Sequence, residues 1–120
     1  MDRARFERLV AEAIDSLPEQ FKDRLDNVAV VVEDRPSGRA AGRRQRPGTL
    51  LLGLYQGVPL TERDSRYGLA FPDKITIYQR NIESICRDDD AIREQVRDTV
   101  LHEIAHHFGI DDDRLDDLGY

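Results

Sequence analysis

The chain of 120 residues is poor in sulfur and indole side chains, with one cysteine, one methionine and no tryptophan. Because Cys86 is alone, no disulfide can form within the chain, which suits a reducing compartment, and we expect a cytoplasmic protein. Residues 1–6 carry charge with no apolar run behind them, so we expect no secretory signal. No apolar stretch reaches the roughly 18 residues that mark a transmembrane helix.

The composition indicates a globular chain, since 39% of the residues are hydrophobic and 35% are charged. The length fits one domain, which we expect to span residues 1–120. A net charge of -6 weighs against a nucleic-acid binder, because neutralising phosphates requires clustered basic residues. The local exception is a loop predicted over residues 35–48, whose five arginines are Arg35, Arg39, Arg43, Arg44 and Arg46. A nucleic-acid binder built on that loop is our least favoured alternative.

Apolar residues at helical spacing predict four helical segments. The first covers residues 3–17, and a shorter turn covers residues 19–25 after Pro18. Residues 80–86 predict a short helix. A long helix follows over residues 91–108, introduced by an acidic run that suits the positive end of a helix dipole.

Three segments have the pattern of β-strands. Residues 27–33 form a β-branched run that predicts a strand buried on both faces, and residues 49–56 predict a second strand. Residues 74–79 alternate apolar and polar side chains, which predicts a strand with one solvated face at the edge of a sheet. Residues 57–68, with a glycine and a proline at their start, predict a loop.

The segment most informative about chemistry is the sequence His-Glu-Ile-Ala-His near the carboxyl end of the long helix. His102 and His106 are four residues apart, so they share one face of the helix and can bind one metal ion through bonds of about 2.0–2.1 Å. Glu103 lies beside the metal, where it can accept a proton from a metal-bound water. His107 is rotated away from the metal face, and we expect it to be a surface or packing residue.

A catalytic zinc ion needs a third protein ligand if its fourth position is to hold water. One straight helix supplies two ligands, so the chain has to turn back, and Gly109 permits that turn because it can adopt a positive φ. We predict Asp112 as the third ligand, with Asp111 and Asp113 as alternatives that the spacing does not separate. The same set of ligands also suits iron, cobalt or nickel.

Residues 102–112 resemble the HExxHxxGxxH/D signature of metzincin-type zincins, with Asp112 in place of the usual histidine. Together with residues 69–83 they make the chain similar to a family of small bacterial zincin-like proteins with a minimal metallopeptidase fold. The resemblance implies an α/β (α+β) fold. Its small mixed sheet of three or four strands has an edge strand above the HExxH helix and an amino-terminal helix packed on one face. It also implies that the edge strand pairs with the backbone of a peptide substrate through Lys74, Ile75, Thr76, Ile77 and Tyr78.

Two functions compete on these observations. The first is a zinc-dependent peptidase, acting as a monomer on a peptide or protein substrate, with zinc as its cofactor. The second is a zinc-stabilised binding or regulatory module, which the missing methionine-containing turn of metzincins favours, since the only methionine is Met1. Glu103 favours the peptidase, because a structural zinc site normally has four protein ligands and needs no adjacent carboxylate. Four residues are candidates to stabilise the oxyanion of that reaction: Tyr55, Tyr67, Tyr78 and His107.

Overall fold

The computed structural model describes residues 1–26, 28–37, 50–57 and 73–107. Within these ranges the chain forms a mixed α/β fold, as predicted. The helices are α1 (Arg3–Asp15), α2 (Glu19–Lys22) with a 3₁₀ turn (Asp23–Leu25), α3 (Gln79–Glu83) and α4 (Asp89–His107). The strands are β1 (Val28–Glu33), β2 (Gly53–Gln56) and β3 (Asp73–Tyr78). Each predicted helix and strand is therefore present, but the second strand begins only at Gly53, since residues 50–52 are not in a strand, and the short helix ends at Glu83 instead of residue 86.

The two long helices begin at aspartate caps. Asp2 accepts a hydrogen bond of 2.8 Å from the backbone N–H of Arg5 at the start of α1. Asp88 accepts one of 2.8 Å from the N–H of Ala91 at the start of α4. Each bond satisfies a backbone donor that the first turn of a helix leaves without an intrahelical partner. The acidic run before the long helix thus acts as the predicted cap.

The three described strands form one sheet in the order β1-β3-β2. Strand β1 is parallel to β3, and β2 is antiparallel to it, so that Val30 and Tyr55 lie on opposite sides of Ile75. The prediction that residues 74–79 form an edge strand is therefore wrong. The pairing on both sides occupies the backbone groups of β3, so they cannot receive a peptide strand. This correction covers all five predicted substrate contacts: Lys74, Ile75, Thr76, Ile77 and Tyr78.

The burial of the strands also differs from the prediction. Strand β3 was expected to have one solvated face, but the side chains from Ile75 to Tyr78 are all buried. Strand β1 was expected to be buried on both faces, but its first five residues are partly exposed and Glu33 is exposed. The difference follows from the strand order, because β3 is central and β1 lies at one edge of the described sheet.

One apolar core joins the helices to the sheet. Helix α1 packs against α4, and α4 packs against β2 and β3. The core residues with no exposed surface are Phe6, Ile75, Ile77, Ile82, Val96, Val100, Ile104 and Ala105. Among the described helices, none is long and apolar enough to cross a membrane. The loops predicted over residues 35–48 and 57–68 fall largely outside the described residues.

The position of Phe6 predicts a large effect on stability. Phe6 is completely buried in the core, so Phe6→Ala should lower the free energy of unfolding by about 3–5 kcal/mol. Urea denaturation followed by circular dichroism measures this change. The control is Glu7→Ala on the exposed side of the same helix, which should change the free energy by less than about 0.5 kcal/mol. Similar losses in both variants would contradict the assignment of Phe6 to the core.

Candidate functional site

Helix α4 lies unusually close to the part of the chain that includes β2 at two glycines, Gly53 at the start of β2 and Gly57 directly after its end. A Cβ atom added at Gly53 would lie 2.6 Å from Thr99 Cγ2, and one added at Gly57 would lie 3.0 Å from His107 Cε1. Between them, the backbone N–H of Tyr55 donates a hydrogen bond of 2.8 Å to Glu103 Oε1. Glycine within a strand commonly marks such a close approach of another element.

These three contacts define a regular register between the strand and the helix. Position 53 faces position 99, position 55 faces position 103 and position 57 faces position 107. The strand and the helix therefore run in the same direction. Two residues of a strand advance about 6.6–6.8 Å, and four residues of a helix advance about 6.0 Å. The two elements therefore stay in step over this length, and every second strand residue meets one row of the helix. Glu103 is the middle residue of that row.

His102 and His106 form the neighbouring row of α4, one helical turn apart, as the sequence predicted. Their ring centroids are 6.4 Å apart, with the ring planes at 67°. His102 is partly buried and His106 is exposed. The two imidazoles are thus close enough to approach one metal ion, while Glu103 is held by β2 at the side of this pair.

The described part of the chain holds two of the predicted metal ligands. No group of three His, Cys, Asp or Glu side chains within it is placed to hold a metal ion. Asp112, with its alternatives Asp111 and Asp113, and the turn residue Gly109 lie outside the described residues. A pair of imidazoles on one helix face fits the donors that zinc prefers. The third ligand stays a prediction.

A cluster of three side chains closes the carboxyl end of α4 against the sheet. The ring of Tyr55 stacks on His107, with centroids 4.0 Å apart and the planes at 24°. The Tyr55 hydroxyl donates a hydrogen bond of 2.7 Å to Asp73 Oδ2. His107 Nε2 lies 3.9 Å from the same oxygen. We call Tyr55, Asp73 and His107 the clamp.

The clamp shows what the sequence reasoning missed. His107 was expected to be a surface or packing residue, or a candidate for the oxyanion, and Asp73 was given no role. Tyr55 was considered only as an oxyanion stabiliser, but its hydroxyl is engaged with Asp73. The signal that could have found it is the spacing of Gly53 and Gly57, which lie two residues before and two residues after Tyr55.

Of the other candidates for the oxyanion, His107 belongs to the clamp, Tyr78 lies away from the histidines and Tyr67 lies outside the described residues. Tyr78 is three residues beyond Ile75, the partner of Tyr55, which places it about 10 Å along the strand from the site. Tyr67 belongs to the undescribed segment.

Cys86 takes no part in the site. Its Sγ lies 3.6 Å from the carbonyl oxygen of Ala91. Burial raises the pKa of its thiol, with a smaller contribution from Asp88.

Comparisons with known proteins give a matching family and a solved structure with a similar fold. A family model described as zincin-like metallopeptidase matches residues 25–120, which is well over half of the chain. Among solved structures, the chain is similar to a conserved hypothetical protein from Thermo thermophilus, with a TM-score of 0.56 and 26% identical residues. That match covers 90% of this chain and 94% of the other. The comparison with curated proteins gives no match.

The approach of α4 to β2 predicts a steric effect at Gly53. In Gly53→Ala the new Cβ would collide with Thr99 Cγ2 and crowd the carbonyl oxygen of Thr76 at 3.2 Å. We expect this overpacking to lower the free energy of unfolding by about 1–3 kcal/mol. Thr99→Ser removes the colliding methyl group and keeps the hydroxyl, so the double variant should recover part of the loss relative to Thr99→Ser alone. Urea denaturation of all four proteins measures the coupling, and simple additivity would contradict the contact.

Proposed function

We propose, because the chain belongs to the zincin-like metallopeptidase family, that it hydrolyses peptide bonds with a water molecule activated by one zinc ion. The observation that carries this proposal is the hydrogen bond from the Tyr55 N–H to Glu103 Oε1. It holds a carboxylate beside a pair of imidazoles without making that carboxylate one of the pair's metal ligands. A site that used zinc for stability alone would need no such carboxylate.

Three residues would hold the zinc ion: His102, His106 and Asp112. When bound, zinc lowers the pKa of its water to about 7 and polarises the carbonyl group of the substrate. Two neutral imidazoles and one carboxylate leave a fourth position open for that water, which is the arrangement of catalytic zinc sites.

Glu103 is the residue we assign as general base. The Tyr55 N–H fixes one carboxylate oxygen, Oε1, and leaves the second oxygen to accept the water proton and later return it to the leaving amine. Holding one oxygen limits the rotation of the side chain. The proton acceptor therefore stays in place as the reaction proceeds, which is the advantage of a preorganised site.

The substrate strand we propose is β2, in place of the segment 74–79. Tyr78 N–H donates a hydrogen bond of 3.0 Å to the Leu52 carbonyl, so the even-numbered residues of β2 direct their backbone groups toward β3. The backbone groups of Gly53 consequently point to the opposite edge of the described sheet, as does the Tyr55 N–H that binds Glu103. An extended peptide substrate would pair along this edge by strand addition.

The proposal predicts bound zinc and a specific loss of cleavage. The parent protein should hold one zinc ion per chain, measured by inductively coupled plasma mass spectrometry, and His106→Ala should lose it because one ligand is removed. Glu103→Gln should keep the metal and lower kcat for peptide hydrolysis by about 10²–10⁴-fold, the usual contribution of a general base.

The matched control is Glu94→Gln, an exposed glutamate on the same helix, which should cleave at the parent rate. Zinc bound by the parent without hydrolysis of a broad peptide library would favour the binding module instead. A parent protein that takes up no zinc would refute the metal site.

The third ligand has its own test. Asp112→Ala should weaken zinc binding by far more than Asp111→Ala or Asp113→Ala, because only the residue that binds zinc removes a coordinate bond. Competition with a chromophoric chelator gives the three affinities. The largest loss at Asp111 or Asp113 would move the third ligand to that residue, and equal small losses would exclude all three.

A further inference from the structure

The clamp carries an inference beyond the roles of the HExxH residues, and it rests on the proposed function. We propose that Tyr55 is the positioning residue of this site. Its backbone fixes the general base, while its side chain, stacked on His107 and hydrogen-bonded to Asp73, fixes the end of α4 that bears His106. One residue of β2 thereby sets the distance between the base and a metal ligand.

Tyr55 is hydrogen-bonded through both its backbone and its side chain. Its N–H donates to Glu103 at 2.8 Å, and its hydroxyl donates to Asp73 at 2.7 Å. The residue as a whole is only 9% exposed. The residue consequently has little freedom to move independently of the sheet or of the helix.

The three clamp residues belong to three different elements. Tyr55 lies on β2, His107 is the last residue of α4, and Asp73 is the first residue of β3. A Cβ added at Gly57 would lie 3.0 Å from His107 and 3.9 Å from Asp73 Oδ1, so the three elements converge at that point. The clamp therefore ties the sheet to the last described turn of α4.

The clamp is connected to the proposed metal ligands through the backbone of α4. His107 follows His106 directly, so a stack that fixes the His107 ring also fixes the backbone that carries His106. Partners that orient metal ligands without touching the metal typically change metal affinity or activity by about 10–100-fold when they are removed. Tyr55 and Asp73 are in this relation to the proposed zinc ligands.

Tyr55→Phe is the decisive variant, because phenylalanine keeps the stack, the burial and the backbone N–H and removes only the hydroxyl. We expect about a tenfold loss of zinc affinity and a comparable fall in kcat with KM within twofold. Asp73→Ala removes the same hydrogen bond and also the carboxylate near His107, so it should give losses at least as large, and the double variant should be no worse than Asp73→Ala alone.

The matched control is Tyr78→Phe, which removes another buried tyrosine hydroxyl at the far end of the sheet. It should change neither zinc affinity nor kcat, whatever its effect on Tm. The visible spectrum of the Co²⁺-loaded proteins is a further readout, which should change in Tyr55→Phe and remain that of the parent in Tyr78→Phe.

The outcomes separate this inference from the proposed function. Zinc affinity and kcat within twofold of the parent in Tyr55→Phe would overturn the role of Tyr55 even if the parent is a peptidase. A parent that binds zinc and cleaves nothing would refute the peptidase, and the zinc affinities of the variants would still decide the clamp. A fall in Tm without any change in zinc affinity, cobalt spectrum or kcat would reduce Tyr55 to a structural residue and overturn the proposal. A parent that binds no zinc would overturn both.

Discussion

The close approach of α4 to β2 is the constraint on which the rest of the site depends. The strand can lie against the helix because residues 53 and 57 have no side chain, and a Cβ at either would reach the helix at 3.0 Å or less. That proximity brings a backbone N–H within hydrogen-bond distance of a glutamate in the middle of the helix. With larger residues at these positions, the helix would have to move away and Glu103 would lose its donor.

The side chains of α4 fall into three rows with different surroundings. Residues 96, 100 and 104 are fully buried in the core, residues 99, 103 and 107 face β2, and residues 102 and 106 form the adjacent row that carries the imidazoles. Each row repeats every four residues, which keeps its members on one face of a helix. His102 and His106 are four residues apart, as two metal ligands on one helix must be. Glu103 and His107, which contact Tyr55, are also four residues apart.

Sequence patterns predicted where the helices and strands lie better than they predicted which strands pair with each other. Helical periodicity located α1 and α4, and the HExxH spacing placed two histidines on one face, because these are local properties of the chain. The order of the strands is not local. Alternation over residues 74–79 suggested an edge strand, but Thr76 and Tyr78 are buried with Ile75 and Ile77 because β3 pairs on both sides. The clamp was missed for the same reason, since Tyr55 is 18 residues from Asp73 in the chain and 48 from Glu103.

The position of Glu103 shows why a helical motif alone does not make a site. Fixing a glutamate side chain costs up to about 1.5–2 kcal/mol in rotamer entropy. A hydrogen bond to a charged group contributes about 1.5–3 kcal/mol, so one bond from Tyr55 is enough to offset that cost but leaves little surplus. The donor must then be rigid itself, because a mobile N–H would lose its own freedom on binding the carboxylate. Strand pairing with β3 and the contacts of the Tyr55 side chain supply that rigidity. The orientation of the base is therefore determined by the strand, although the residue that carries it belongs to the helix.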